Sequence, residues 1–287
     1  MDWRTLVSAP ELAAVLGRDG LSVVDCRHVL AGGDPDAGER AWRQAHLPGA
    51  GHAHLDRDLS DHRKPAAQGR HPLPDAADFC RVLARLGVRP ESQVVAYDAG
   101  DGAMAAARFW WLLRLLGHRR VAVLDGGVAR WQALGLPMAS APPVLKPGAY
   151  SGEFQLGAIA TSAELMAQLP AVPGTLLDAR APERYAGLVE PLDPVAGHIP
   201  GAVNRPYSSN LDAGMFRASA ALRAEFEALL QGRAPMHVVL SCGSGVTACH
   251  NLLAMEHAGL HGARIYAGSW SAWVSDPSRP TAQGPNP

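Results

Sequence analysis

The chain has 287 residues, of which 47% are hydrophobic and 18% are charged, and its formal net charge is −1 at pH 7. That hydrophobic content suffices for one large core or for two cores of about 130 to 140 residues each, and two is the better fit. A charge this close to zero excludes the basic surface with which proteins hold nucleic acid or anionic membranes, so neither is expected as a partner.

The N-terminus and the cysteines bear on where the protein works. Asp2, Arg4 and Glu11 interrupt the first apolar stretch, and no run of about 18 apolar residues occurs, so neither a signal peptide nor a membrane span is expected. The four cysteines, at positions 26, 80, 242 and 249, are too scattered for a disulfide framework and form no C-x-x-C pair. We therefore expect free thiols in a reducing, cytoplasmic compartment.

An internal repeat divides the chain into two halves. Four sequence pieces of the first half recur in the second, roughly 142 to 153 residues later. They are 23–27 and 176–180, 46–50 and 198–202, 94–98 and 238–242, and 126–131 and 268–273. Between the halves, residues 136–148 are rich in proline, which is typical of an extended linker. The predicted domains cover 1–139 and 153–287, with the linker at 140–152.

Within each half, short apolar runs alternate with helical patterns. The helical patterns cover 76–86 and 103–116 in the first half, and 220–230 and 247–258 in the second. Such alternation predicts an α/β fold in which each half forms a mostly parallel sheet with helices on both faces.

Two neighbouring histidines of the first half, His52 and His54, are candidate metal ligands by residue type. No third ligand follows at a recognisable spacing, so we expect solvated loop histidines rather than a metal site. No metal and no organic cofactor is predicted.

Cys242 is the most chemically specific feature of the chain, because it lies between an apolar run over 236–241 and a stretch of small residues. That stretch is Gly243, Ser244, Gly245, Val246, Thr247 and Ala248. A turn of this kind, leading into a helix, points backbone N–H groups and the positive end of the helix dipole at one spot. A thiolate is favoured there, and an anion on its sulfur is stabilised. The first half has Asp98 at the equivalent position, so only the second half is expected to carry out thiolate chemistry.

Two other uses of such a loop are disfavoured. A cysteine phosphatase needs an arginine six residues after its cysteine, and this chain has Ala248 there. A dinucleotide-binding loop wants an acidic residue at the end of the next strand, where the chain has Arg264, Ile265 and Tyr266.

In these motifs the chain resembles the rhodanese-type sulfurtransferases. The loop over 242–247 is similar to that of the mercaptopyruvate branch, whereas the thiosulfate branch usually has basic residues directly after the cysteine. The segments 197–204 and 268–273 match two further family motifs in the right order. The resemblance covers nearly the whole chain, and it implies two tandem rhodanese-like domains of which the N-terminal one is a non-catalytic copy.

The resemblance also implies roles for residues outside the loop. Asp58 and His71 match an aspartate and a histidine that form a relay with the loop serine, here Ser244, and manage protons on the departing enol of pyruvate. Arg184 matches the arginine that binds the donor's carboxylate or sulfonate, as its planar guanidinium suits. On the residues alone, Asp58 and His71 could equally belong to an ordinary polar loop, and Arg184 to the surface.

One position departs from the family pattern. Mercaptopyruvate enzymes often carry a second arginine nine residues after the first, but this chain has Leu192 followed by Asp193 there. Asp193 would repel a substrate carboxylate if it faced the pocket. Arg205 is the arginine that could substitute for the missing one.

The resemblance implies a sulfurtransferase that moves a sulfane sulfur from 3-mercaptopyruvate through a persulfide on Cys242. The expected acceptors are cyanide in the test tube and a small thiol or a reduced thioredoxin-like protein in the cell. A thiosulfate:cyanide sulfurtransferase is the alternative, and a non-catalytic sulfur-carrier module is a more remote one. Cys249 could act as a resolving thiol, although a helical cysteine of this kind is more often a core residue.

Overall fold

A computed structural model describes residues 1–29, 34–100, 102, 105–171 and 174–287. The chain divides into two compact units. The N-terminal unit comprises Met1–Asp61, Pro74–Gln155 and Ala213–Phe216, and the C-terminal unit comprises His62–Leu73, Leu156–Asp212 and Arg217–Pro287. The predicted linker, 140–152, forms neither helix nor strand and is grouped with the N-terminal unit. Segment 62–73, although it lies in the first half of the sequence, belongs to the C-terminal unit.

The N-terminal unit is built on a five-stranded sheet whose neighbouring strands are all parallel. Its strands are β1 (Leu6–Val7), β2 (Leu21–Asp25), β3 (Gly51–His52), β4 (Gln93–Tyr97) and β5 (Val121–Leu124), in the spatial order β1-β5-β4-β2-β3. Its helices are α1 (Ala9–Ala13), α2 (Ala37–Gln44), α3 (Leu55–Asp58), α4 (Ala76–Arg85), α5 (Ala105–Leu115) and α6 (Gly127–Ala133). The central strand β4 is buried along its whole length, as the predicted parallel sheet with covered faces requires.

The C-terminal unit repeats this plan with a four-stranded parallel sheet. The four strands of this sheet are β6 (Leu176–Asp178), β7 (Val203–Asn204), β10 (Val239–Ser241) and β11 (Arg264–Ile265). The short strand β8 (Leu211–Asp212) of this unit lies outside the sheet, and β9 (Met215–Phe216) is grouped with the N-terminal unit. Its helices are α7 (Ser162–Met166), α8 (Pro182–Tyr185), α9 (Ser219–Leu230), α10 (Thr247–His257) and α11 (Ser269–Trp273). The sheet order β11-β10-β6-β7 makes β10 an inner strand.

The four helices predicted from periodicity are α4, α5, α9 and α10, and their observed bounds lie within about two residues of the predicted ones. The first two residues of the pattern over 103–116 lie outside the described residues. Helix α4 shows the spacing that drives such helices, because its buried residues recur at intervals of three and four: Ala76, Phe79, Cys80 and Leu83. Among the described residues, no helix is long and apolar enough to cross a membrane.

An equivalent buried arginine–aspartate ion pair lies at the end of an inner strand in each unit. Arg27 binds Asp25 at 2.6 Å at the end of β2, and Arg180 binds Asp178 at 2.7 Å at the end of β6. Each arginine also donates to a backbone carbonyl. Because these pairs are hydrogen-bonded and shielded from water, removing one partner would destabilise the unit by about 3 to 5 kcal/mol. The repeat seen in the sequence is therefore a repeat of buried polar structure as well as of strands.

Candidate active site

Cys242 follows β10 directly, at the carboxyl end of an inner strand, where parallel α/β sheets form their binding sites. Its side chain is buried, and its Sγ accepts a hydrogen bond from the backbone N–H of Gly245 at 3.1 Å. Gly245 has φ of 76°, a left-handed conformation that turns the chain toward the start of α10 at Thr247. The predicted strand-to-helix turn is thus present, and at least one of its amides points at the sulfur. The roles of Gly243, Val246, Thr247 and Ala248 as further donors stay a prediction.

The carbonyl groups at the start of the loop are held by α11. The N–H of Trp270 donates to the carbonyl of Cys242 at 3.0 Å, and the N–H of Ser271 donates to that of Gly243 at 2.9 Å. The orphan N–H groups of a helix's first turn therefore fix the loop backbone. The Gly-Ser-Trp motif near the end of the sequence serves to support the cysteine loop.

Ser269 is a supporting residue that the sequence reading missed. It is fully buried, and its Oγ accepts a hydrogen bond from the N–H of Cys242 at 3.0 Å and donates one to the carbonyl of Tyr266 at 2.9 Å. Its φ is 51°, a left-handed conformation that costs a residue other than glycine about 1 to 2 kcal/mol. In the repeat the equivalent residue is Gly127, with φ of 53°. The second half therefore accepts strain at this position and gains a hydroxyl that holds the nucleophile's backbone.

The N-terminal unit preserves the loop support without the thiol. The N–H of Val128 donates to the carbonyl of Asp98 at 3.0 Å, and the N–H of Ala129 donates to that of Ala99 at 2.9 Å, which matches the two bonds around Cys242. The buried carboxylate of Asp98 accepts a hydrogen bond from the N–H of Ala106 at the start of α5. An acidic side chain thus caps the helix where the second half has its sulfur.

Ser244 and His71 lie together within the C-terminal unit. His71 Nδ1 is 2.7 Å from Ser244 Oγ, and both side chains are buried. The sequence resemblance predicted this pair, although His71 precedes Ser244 by 173 residues. A buried imidazole in contact with a hydroxyl can pass a proton in either direction.

Asp58, the third member of the predicted relay, lies at the end of α3 in the N-terminal unit. One of its carboxylate oxygens pairs with Arg85 at 2.7 Å, and the other accepts a hydrogen bond from the N–H of His54 at 2.8 Å. The carboxylate therefore has partners within its own unit. Its part in a relay with Ser244 stays a prediction.

Arg184 lies beside the cysteine loop, and its role in binding the donor stays a prediction. A β-carbon built on Gly243 would lie 3.4 Å from Arg184 Nη1 and 3.2 Å from Nη2 of a second arginine, Arg70. Arg184 pairs with Glu190 at 2.7 Å and approaches Asp193 at 3.4 Å. Arg70 was not recognised from the sequence, because it lies in a segment without periodicity and its partner is far along the chain. The loop is therefore flanked by two guanidinium groups rather than one.

Arg205, the suggested substitute for the missing family arginine, is held by side chains of α9. Its guanidinium pairs with Glu225 of α9 at 2.9 Å and lies over the ring of Phe226, 4.7 Å from the ring centre. That Arg205 substitutes for the missing arginine stays a prediction, and its guanidinium already has an acidic partner on α9.

The expectation that His52 and His54 are solvated was also wrong, since both are buried. Burial lowers the pKa of His52, because the charged imidazolium is poorly solvated there. Among the described residues, ligand atoms of His28, His54 and Asp56 lie within 4.8 Å of one another. Both ring nitrogens of His54 are engaged by backbone groups, one by the N–H of Asp56 and one by the carbonyl of Pro35, so these residues are not poised as a ligand set.

The other three cysteines occupy core positions. Cys249 is fully buried, and its thiol donates to the carbonyl of Gly245 at 3.3 Å, as a small core residue of α10 would. Burial raises the pKa of the Cys26 thiol well above its ordinary value and also raises that of Cys80. Thiolate chemistry is thus disfavoured at Cys26 and Cys80.

Comparison with known proteins gives a consistent picture. The family profile described as "Rhodanese-like domain" matches residues 8–134 and 161–276. A probable 3-mercaptopyruvate sulfurtransferase of Pseudomonas aeruginosa is 48% identical over 97% of this chain and 98% of that protein. A putative thiosulfate sulfurtransferase of Mycobacterium tuberculosis is 40% identical over 98% of both chains. Among solved structures, the 3-mercaptopyruvate sulfurtransferase from Leishmania major superimposes with a TM-score of 0.81 and 31% identity, covering 95% of this chain and 74% of that one.

Proposed function

The chain belongs to the rhodanese-like family, and from that premise we propose that it transfers a sulfane sulfur from 3-mercaptopyruvate to a thiol or cyanide acceptor by way of Cys242. The predicted family, the two rhodanese-like domains and the sulfurtransferase class are confirmed by the family match and by the relatives. The proposal rests on the buried Sγ of Cys242, which accepts a hydrogen bond from the N–H of Gly245 in a loop that Arg184 flanks.

The first half-reaction forms the persulfide. The thiolate of Cys242 attacks the sulfur of 3-mercaptopyruvate, an S–S bond forms, and the C–S bond breaks with its electron pair moving to the donor carbon. The donor leaves as the enolate of pyruvate. The N–H of Gly245, 3.1 Å from Sγ in the starting state, supports negative charge at the sulfur site.

The Ser244–His71 pair supplies the proton that this step needs. The enolate must take up one proton to become pyruvate, and the donor thiol must lose one before its sulfur can remain as a persulfide anion. A hydroxyl and an imidazole 2.7 Å apart can carry a proton from one site to the other without a nucleophilic role for the serine.

Donor choice rests on Arg184. Its guanidinium lies beside Gly243 and offers a charge-assisted contact for the donor's carboxylate. Thiosulfate is the second candidate donor, because a compact dianion would also be attracted by two arginines at the loop. We favour 3-mercaptopyruvate because its product needs a proton at carbon, which the Ser244–His71 pair can deliver. Thiosulfate releases sulfite without proton transfer to carbon, so it would not need this pair.

The acceptor and the cellular setting belong to the same proposal. A small thiol or a reduced thioredoxin-like protein removes the terminal sulfur, with cyanide as the laboratory substitute. A cytoplasmic location is supported by the four cysteines, which form no disulfide among the described residues.

The ratio of kcat/KM for 3-mercaptopyruvate to kcat/KM for thiosulfate tests the donor assignment. We expect 3-mercaptopyruvate to be the better donor. Equal or better turnover of thiosulfate would overturn the donor assignment and leave the persulfide chemistry standing.

A further inference from the structure

Arg70 and Asp193 form an ion pair beside the cysteine loop, within the C-terminal unit. Arg70 Nη1 lies 2.6 Å from one oxygen of Asp193, and the other oxygen of Asp193 lies 3.4 Å from Arg184 Nη2. The backbone of Arg70 is fixed as well, because its N–H donates to Ser271 Oγ of α11 at 2.9 Å. One carboxylate therefore holds two guanidinium groups, and the segment that carries Arg70 is attached to the helix that supports the loop.

The exposures within this cluster show which groups face outward. The side chains of Asp193 and Glu190 are 4% and 3% exposed, whereas those of Arg70 and Arg184 are 27% and 21% exposed. The carboxylates thus lie behind the arginines. The carboxylate of Asp193 is buried and paired with Arg70, so that arginine offsets its negative charge.

Both guanidinium groups also converge on the same point. Arg70 Nη2 and Arg184 Nη1 lie 3.2 Å and 3.4 Å from the position that a β-carbon on Gly243 would occupy. Because residue 243 is a glycine, nothing separates the two cations from the residue that follows the nucleophile. Arg184 Nε is buried and has no hydrogen-bond partner among the described residues, so not all donors of this guanidinium are used by the acidic pair.

We propose that Arg70 is a second donor-binding arginine, which contacts the carboxylate of the sulfur donor together with Arg184, and that Asp193 is the residue that positions it. This inference rests on the proposed function for the identity of the donor. The family resemblance leads one to expect a second arginine at position 193. In this chain Arg70 supplies that positive charge, and Asp193 holds Arg70 in place. The ligand class is a small 2-oxo carboxylate with a transferable sulfur.

The test compares two reagents that alkylate Cys242, a reaction in which no sulfur is transferred. Iodoacetate carries a carboxylate next to the reacting carbon, and iodoacetamide carries a neutral amide of the same size. In Arg70→Gln, we expect the ratio of the iodoacetate rate to the iodoacetamide rate at Cys242 to fall about 10-fold, as loss of a charge-assisted contact implies. The matched control is Arg223→Gln, which breaks an exposed arginine–glutamate pair on α9 and should leave the ratio unchanged.

Steady-state kinetics supply the second readout. Arg70→Gln should raise KM for 3-mercaptopyruvate about 10-fold and change kcat less than about threefold, because the contact exists before and during the chemical step. An unchanged alkylation ratio, or a fall in kcat at constant KM, would overturn the inference. If the protein did not use 3-mercaptopyruvate at all, the alkylation ratio would still report on Arg70.

The positioning role of Asp193 is tested by combining Asp193→Asn with Arg70→Gln. Asp193→Asn alone should lower the alkylation ratio, because the carboxylate that holds the guanidinium of Arg70 beside Gly243 is lost. In the Arg70→Gln background the same change should not lower the ratio further, since no guanidinium is left at position 70 to be positioned. Equal falls in the two backgrounds would refute the coupling.

Discussion

Replacing Ser269 by alanine and by glycine separates the loss of its hydroxyl from the strain of its left-handed backbone. Either change removes the acceptor of the buried Cys242 N–H, which costs about 1 to 3 kcal/mol. Alanine keeps the strain of the left-handed backbone at φ 51°, whereas glycine relieves about 1 to 2 kcal/mol of this strain. Part of the relief is offset because glycine has more conformational entropy in the unfolded state. We therefore expect the wild type to be most stable, Ser269→Gly intermediate, and Ser269→Ala least stable, the two variants differing by about 0.5 to 1 kcal/mol.

Scanning calorimetry measures this order, since in a domain of this size about 1 kcal/mol shifts Tm by about 2 to 4 °C. Both variants should lose about 10- to 100-fold in kcat/KM, because the backbone of the nucleophile is no longer fixed. The control is Gly127→Ala, whose β-carbon would meet the carbonyl of Asp98 at 2.6 Å and should lower Tm without slowing the folded enzyme. An alanine variant as stable as the wild type, or a fully active glycine variant, would refute the reasoning.

Two further predictions concern the donor and the proton. Arg184→Ala should lower kcat/KM for 3-mercaptopyruvate about 10- to 100-fold through loss of a charge-assisted contact, and a change below threefold in steady-state assays would remove Arg184 from donor binding. Ser244→Ala should lower kcat with 3-mercaptopyruvate about 100-fold but leave persulfide formation from thiosulfate within about threefold, because only the first donor needs a proton at carbon. Equal losses with both donors, measured by rapid-quench persulfide formation, would contradict the proton role of Ser244.

The sequence was sufficient for the features that depend on local pattern. The strand-to-helix turn at Cys242 could be predicted because an apolar run, a cysteine and small residues follow one another along the chain. The repeat added that Asp98 replaces the sulfur in the first half. The pairing of His71 with Ser244 came from family resemblance, since nothing between these two residues encodes their contact.

The features that were missed or misjudged depend on pairing between distant residues. Asp193 looked repulsive because its partner, Arg70, lies 123 residues earlier in a segment without periodicity. His54 looked solvated because no local pattern shows that the backbone of Pro35 and Asp56 encloses its ring. Ser269 carried a signal that could have been read, since glycine stands at the equivalent position of the first half and serine replaces it only where the cysteine is present.

Intact-mass spectrometry after incubation with 3-mercaptopyruvate tests the central claim most directly. The wild-type protein should gain the mass of one sulfur atom, which cyanide then removes, and Cys242→Ser should gain none and show no turnover. Cys249→Ser is the matched control and should still form the adduct, because the Cys249 thiol donates to the carbonyl of Gly245, whereas the N–H of Gly245 donates to the sulfur of Cys242. An adduct on Cys242→Ser, or its loss in Cys249→Ser, would show that the nucleophile has been assigned to the wrong cysteine.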